Sequence, residues 1–183
     1  MGTLYEAIDA KLGGWLVAQP VFFVATAPSA DDGHVNVSPK GMAGTFTVLT
    51  PEQIAYLDYF GSGIETIAHL RENGRIVVMC CAFEGPPKIV RLHGRGYAVL
   101  PTDPSFAQLR GHFGKERDHA VRSIIVVDID RISDSCGYSV PRMDFVHDRD
   151  ILDLHQLKKP GEYFDEYALE RNAASIDGLP GLA

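Results

Sequence analysis

The amino-acid sequence predicts a mainly β protein of the α+β class, an antiparallel barrel of six strands with a few helices packed on it. Segments rich in Val and Ile recur at short spacing along the 183 residues, and turn residues link most of them. Few segments show helical periodicity. A hydrophobic content of 45% is ordinary for a globular protein of this length.

The first elements are a helix and a hairpin. Apolar residues between Leu4 and Val17 follow helical spacing, which predicts a helix within residues 1–18 that covers one end of the barrel. Residues 21–26 then form a buried strand, residues 28–33 are a turn cluster, and residues 34–40 alternate apolar with polar side chains. These two strands and the turn between them predict a β-hairpin over residues 21–40.

Strand patterns dominate the chain after the hairpin. Further strands are predicted at residues 46–49, 54–60, 76–83, 88–100 and 123–132, and helices at 65–72 and 105–113. Glycines within residues 91–96 predict a bend or bulge in the long strand, since glycine weakens strand pairing. The chain shows no linker, so we expect one domain over residues 1–183 with a carboxyl-terminal extension at 150–183.

Charge and composition exclude several functional classes. The net charge of −7, without a basic stripe, argues against nucleic-acid binding. No apolar run approaches the roughly 20 residues of a membrane helix, and the amino terminus does not look like a signal peptide. Cys80, Cys81 and Cys136 are an odd number without a zinc pattern, so we expect reduced thiols and a cytoplasmic protein. The seven histidines lack metal-binding spacing, and no metal site is predicted.

The turn between the predicted strand 54–60 and the following helix is a candidate phosphate site. Gly61 and Gly63 flank Ser62 where the helix begins, which leaves backbone N–H groups unpaired at the positive end of the helix dipole. Two alternatives stay open: the residues serve only to make the corner and cap the helix, or they belong to a dinucleotide fingerprint. The third glycine of that fingerprint is replaced by Thr66, and strands follow rather than alternating helices.

The order of motifs resembles the FMN-binding split-barrel proteins related to pyridoxamine 5′-phosphate oxidase. The resemblance covers about residues 23–140 and continues into the tail at 175–182. It is carried by Val-Asn-Val-Ser-Pro-Lys-Gly at 35–41, Tyr-Leu-Asp at 56–58, Gly-Ser-Gly-x-Glu-Thr at 61–66, Leu-Arg-Glu-Asn-Gly-Arg at 70–75, Cys-Ala-Phe-Glu-Gly-Pro-Pro at 81–87 and Ser-Cys-Gly-Tyr-x-Val-Pro at 135–141.

This resemblance implies a six-stranded split barrel that forms a homodimer and binds two FMN molecules at the interface. The strand at 36–40 would follow the flavin ring and ribityl chain, and residues 62–66 would meet the phosphate. A deazaflavin is an alternative cofactor, and haem is a weaker one because no axial ligand stands out. The cofactor-binding candidates are Asn36, Ser38, Lys40, Asp58, Gly61, Ser62, Gly63, Thr66 and Arg91.

Two of these candidates have an alternative role that does not involve a ligand. Lys40 is alternatively a solvated turn lysine, and Arg91 alternatively pairs with a carboxylate across the barrel. Outside the candidate set, His93 is predicted to be a hydrogen-bonded structural histidine, with a contact to flavin or substrate as the alternative. Cys136 is the one thiol with a position that suits reactivity. The catalytic residues are not identified by the sequence.

The chain departs from true pyridoxamine 5′-phosphate oxidases at two places. Their adjacent basic residues before the phosphate helix are replaced by Glu65 and Thr66, and their Arg-rich carboxyl-terminal substrate motif is absent. We therefore expect a flavin-dependent oxidoreductase that acts on another small organic substrate, with a nicotinamide or another molecule as electron donor. The alternative from another class is a noncatalytic flavin-binding protein on the same barrel.

Overall fold

A computed structural model describes residues 2–182. Within this range eight strands form one antiparallel sheet, and five helices pack around it. The strands are β1 (Leu4–Tyr5), β2 (Val21–Thr26), β3 (Asn36–Gly41), β4 (Phe46–Thr50), β5 (Gln53–Tyr59), β6 (Arg75–Cys81), β7 (Ile89–Val99) and β8 (Val121–Ser135). The helices are α1 (Ala10–Val17), α2 (Glu65–Asn73), α3 (Phe106–Arg110), α4 (Ile151–Gln156) and α5 (Gly161–Arg171).

The sheet curls back on itself. Seven strands follow the order β3-β2-β6-β7-β8-β5-β4, and β1 pairs with β8. Four strands separate β3 from β5 in this order, yet Lys40 Nζ on β3 lies 3.1 Å from Asp58 Oδ1 on β5. The predicted split-barrel class is therefore confirmed, with seven strands along the main path where six were predicted.

The amino-terminal segment differs from the prediction. Leu4 and Tyr5 pair with Ser133 and Ile132 of β8, and the helix begins at Ala10 rather than near Leu4. Asp9 caps this helix, because its Oδ1 accepts a hydrogen bond from the N–H of Leu12 at 2.7 Å. Periodicity did not reveal β1, since a two-residue strand is held by backbone bonds to a distant strand.

Alternate residues of the strands fill the barrel. Val24, Tyr56, Val78, Leu92 and Ile125 are all completely buried and belong to one core cluster. α1 closes one end of this core with two further buried leucines. A second cluster lies on the other face of β5 and β8, where α3 covers it. α3 is shorter than the predicted helix at 105–113.

The predicted irregularity in β7 is confirmed. The register against β8 shifts between His93 and Gly94. A Cβ atom added to Gly94 would lie 2.0 Å from the carbonyl oxygen of Asp128, so only glycine fits this approach of the two backbones.

The carboxyl-terminal extension packs against the turn between β5 and α2 and against the barrel core. α4 and α5 are followed by a short turn-back at residues 172–182, here called the C-terminal hairpin, in which Ala174 bridges Pro180. Gly178, at φ 76°, makes the tip. Among residues 2–182, no helix has the length and apolar character that crossing a membrane requires.

Candidate functional site

The predicted phosphate turn connects β5 to α2. β5 ends at Tyr59 and α2 begins at Glu65, with Ser62 and Gly63 exposed between them. Ile64 is the N-cap of α2, and no side chain within the described residues caps the helix there. The first N–H groups of α2 therefore keep their capacity to bind an acceptor from outside the helix.

A buried carboxylate lies next to this turn. Asp58 on β5 accepts hydrogen bonds from Lys40 Nζ at 3.1 Å, from Arg122 Nε at 2.8 Å and from Ser123 Oγ at 3.3 Å. Burial alone would raise the pKa of Asp58. The charges of Arg122 and Lys40 outweigh that effect and lower the pKa to about 2, so the carboxylate is ionised at neutral pH.

Arg122 links this carboxylate to the backbone of the turn. Its Nη1 donates to the carbonyl oxygens of Gly63 at 2.8 Å and Gly61 at 3.3 Å. Asn172 Nδ2 donates to the same Gly61 oxygen at 3.0 Å. Because the C=O and N–H of a trans peptide point in opposite directions, the N–H groups of Ser62 and Ile64 point away from the guanidinium.

The inner face of β3 carries the other predicted polar residues. Asn36, Ser38 and Lys40 are half-buried on this face, while the residues between them are exposed. Ser38 Oγ donates to Asn36 Oδ1 at 3.2 Å, and Asn36 Nδ2 donates to Thr66 Oγ1 of α2 at 3.2 Å. β3 is thereby joined to β5 by Lys40 and to α2 by Asn36.

His69, on the buried side of α2, adds a polar contact between this helix and β2. Its Nδ1 lies 2.9 Å from Thr26 Oγ1, and its Nε2 has no hydrogen-bond partner among residues 2–182. The side chain is completely buried, and burial lowers the pKa of His69. The sequence analysis did not single out this residue.

Glu65 reduces the positive potential of the turn. A Cβ atom added to Gly63 would lie 2.9 Å from Glu65 Oε2, so the carboxylate folds back over the turn instead of pointing away. An anion bound at Ser62 and Gly63 would meet this negative charge.

Arg91 lies apart from the group. It is on β7, between Val90 and Leu92 of the barrel core, and therefore points to the opposite face of the sheet. Its Nη1 donates to Ser135 Oγ at 3.1 Å. The structure thus brings together eight of the nine predicted residues, leaving out Arg91.

A cleft of about 940 Å³ opens beside the turn. Lys40 and Gly61 lie on its wall, with the aromatic residues Tyr59 and Phe60 next to them. Residues 147–155 form the facing wall and contribute His147, Arg149 and His155. A second cavity, of about 590 Å³, is lined by apolar residues such as Phe22 and Phe145 and by none of the predicted site residues.

Two central residues of the site were missed by the sequence analysis. Arg122 is the one charged residue in the buried first half of β8, residues 121–127, and an isolated arginine in a buried stretch is a signal that could have found it. Asn172 gave no such signal, because only the folding of the C-terminal hairpin places it against the turn.

Comparisons with known proteins agree with this architecture. The family model described as pyridoxamine 5′-phosphate oxidase matches residues 8–136. The pyridoxamine 5′-phosphate oxidase family protein ustO of Aspergillus flavus is 39% identical over 196 aligned positions, which span 100% of this chain and 78% of that protein.

Solved structures show the same fold at low sequence identity. A crystal structure of HupZ from Group A Streptococcus aligns with a TM-score of 0.53 at 16% identity, covering 75% of this chain and 99% of that chain. An FMN-binding protein from Syntrophomonas wolfei aligns with a TM-score of 0.51 at 14% identity, covering 74% of this chain and 86% of that chain. Because the family model matches more than half of its length, and a curated member matches all of it, the chain belongs to the pyridoxamine 5′-phosphate oxidase family.

Proposed function

We propose that this protein binds a flavin, with FMN as the form it takes, and that it uses the flavin as an oxidoreductase on a small organic substrate. One observation carries the proposal: a helix-start turn whose N–H groups are not capped by any side chain of residues 2–182 adjoins a cleft large enough for an organic cofactor. Membership of the family and the fold shared with an FMN-binding protein support it.

The donors beside the turn suit a phosphate. Lys40 is 25% exposed at its side chain and uses one bond on Asp58, so its ammonium group retains donors for an anion. Ser62 adds an exposed hydroxyl, and the cluster of Lys40, Asp58 and Arg122 carries one net positive charge. Glu65 opposes this charge, which makes phosphate binding weaker than an all-basic turn would give.

The chain's own residues would hold and orient the cofactor. The aromatic residues Tyr59 and Phe60 provide apolar surface in the cleft, and Lys40 provides a cation on its wall. A bound flavin would supply the hydride or electron transfer. A cation near the flavin ring favours the reduced form, in which negative charge develops. A nicotinamide is the electron donor we propose.

The proposal includes a homodimer and a cytoplasmic location. Val37 is 61% exposed on the outer side of the edge strand β3, and Val35, just before this strand, is 69% exposed. Apolar residues on a strand edge suit contact with a second copy of the chain. All three cysteines are free, which suits a reducing compartment.

The first test is the absorption spectrum of the purified protein, followed by titration of FMN with fluorescence detection. We expect a flavin spectrum, or quenching of FMN fluorescence at micromolar protein. Lys40→Met and Ser62→Ala should weaken this binding, whereas Ser105→Ala, in the chain before α3, is the control. A haem or deazaflavin spectrum, or indifference to FMN, would overturn the proposal.

Enzyme activity needs a separate measurement. Oxidation of reduced nicotinamide in the presence of an artificial electron acceptor should be faster with the FMN-loaded protein than with free FMN. Equal rates would show that the protein carries the flavin without using it.

A further inference from the structure

We propose that Asn172 is a positioning residue for the phosphate turn, so that the C-terminal hairpin forms part of the flavin site of its own chain. Arg122 acts with it from the core side. This inference rests on the proposed function, because it concerns how the turn is held ready for the phosphate of FMN.

Both polar atoms of the Asn172 side chain form hydrogen bonds. It is completely buried, its Nδ2 donates to Gly61 O at 3.0 Å, and its Oδ1 accepts from Arg122 Nη1 at 3.0 Å. One residue of the tail therefore bonds the carbonyl of Gly61 and also the guanidinium that holds the carbonyl of Gly63.

The backbone of the hairpin fixes Asn172 in turn. Its carbonyl oxygen accepts from Leu182 N at 2.7 Å, and Ala173 O accepts from Gly181 N at 2.7 Å. A Cβ atom added to Gly181 would lie 2.7 Å from Ile64 Cγ1, so the hairpin is seated directly on the N-cap residue of α2.

The tip of the hairpin is attached to the loop before β3. Asp177 accepts two contacts from His34, at 2.6 Å from the ring Nδ1 and 2.8 Å from the backbone N–H. Leu182, at the other end, packs against the barrel core. The hairpin is thus held at three points: Asn172, the tip at Asp177, and Leu182.

A Gly-Ser-Gly turn needs such support. Two glycines give the free turn many conformations, and ordering them costs conformational entropy when a ligand binds. With the carbonyls of Gly61 and Gly63 bonded on the inner side, the N–H groups of Ser62 and Ile64 are already directed away from Arg122. This preorganisation strengthens binding of an anion without any contact between Asn172 and the anion.

The test compares two ligands that differ in the phosphate. The dissociation constants of FMN and riboflavin are measured for the wild-type chain, Asn172→Ala and the control Ser175→Ala. Asn172→Ala should weaken FMN about tenfold and leave riboflavin within about twofold, because only FMN reaches the turn. Ser175→Ala removes a hydroxyl that bonds Leu179 N inside the hairpin, and it should leave the ratio of the two constants unchanged.

The outcomes separate this inference from the proposed function. A wild-type chain that binds neither ligand overturns both. If the wild-type chain binds FMN and Asn172→Ala weakens both ligands equally or neither, flavin binding stands and the positioning role of Asn172 is overturned. Should Asn172→Ala fail to fold, Asn172→Ser carries the same comparison, since it leaves a hydroxyl for Arg122 but is too short to bond Gly61 as well.

Discussion

At the scale of the single residue, the carboxylate of Asp58 lies between two cations, Lys40 and Arg122, where β3 and β5 come together. Replacing it with a neutral amide leaves the buried guanidinium without a counter-charge. We expect Asp58→Asn to lower the free energy of unfolding by about 3–5 kcal/mol in chemical denaturation. Asp165→Asn, on the exposed part of α5, should change it by less than about 0.5 kcal/mol.

The same residue sets an acid limit of stability. The folded pKa of Asp58, about 2, is below its ordinary value of 3.8, so its contribution is complete above pH 3.8 and is lost as the pH falls toward 2. This contribution is about 2 kcal/mol. Asp58→Asn should show that much less loss of stability between pH 4 and pH 2. An unchanged acid profile would contradict the ion-pair assignment.

Glu65 is the residue that makes this turn unlike a basic phosphate site. Its carboxylate over Gly63 should repel the phosphate of FMN by on the order of 1 kcal/mol. We therefore expect Glu65→Gln to bind FMN about fivefold more tightly while riboflavin binding stays the same. Glu166→Gln, which removes an equal charge from exposed α5, is the control. Equal tightening in both variants would indicate a general charge effect.

At the scale of the element, the bulge in β7 depends on one glycine. A Cβ atom on Gly94 would lie 2.0 Å from Asp128 O and 2.9 Å from Asp128 C, both backbone atoms that cannot move without breaking the β7–β8 pairing. Gly94→Ala should destabilise the fold by more than about 2 kcal/mol, measured by thermal unfolding.

Gly14 offers a matched substitution at a position without this restriction. It lies inside α1, and an added Cβ atom there meets no atom of residues 2–182 within 4 Å. Gly14→Ala should stabilise the protein by about 0.5–1 kcal/mol, because alanine is the better helix former. If both variants lost stability to a similar extent, the close backbone contact at Gly94 would not be the cause.

At the scale of the whole molecule, the proposed homodimer can be tested at the outer face of β3. We expect light scattering to give the mass of two chains at micromolar concentration. Val37→Lys, placed on the exposed apolar edge, should shift this mass toward one chain without lowering the stability of the monomer fold. Leu169→Lys replaces an equally exposed apolar residue on α5 and should leave the dimer intact. A wild-type monomer would remove the two-chain arrangement.

Much of the architecture was predictable because it follows local patterns. The alternation at Asn36, Ser38 and Lys40 predicted a strand with one polar face, and that face closes the barrel against Asp58 and Thr66. β1 was not predictable, because its two residues have no pattern of their own and are held by pairing with β8, more than a hundred residues later.

Patterns among neighbouring residues were enough to predict most of the strands and helices, the Gly-Ser-Gly turn and the family. The contact between Arg122 and Asn172 at this turn, and the position of Arg91 away from it, were found only in the folded chain. Those outcomes depend on which strands pair and on where the tail returns. A buried charge or amide finds its hydrogen-bond partner only when residues far apart in the chain are brought together. The local spacing of side chains does not predict which residues those are.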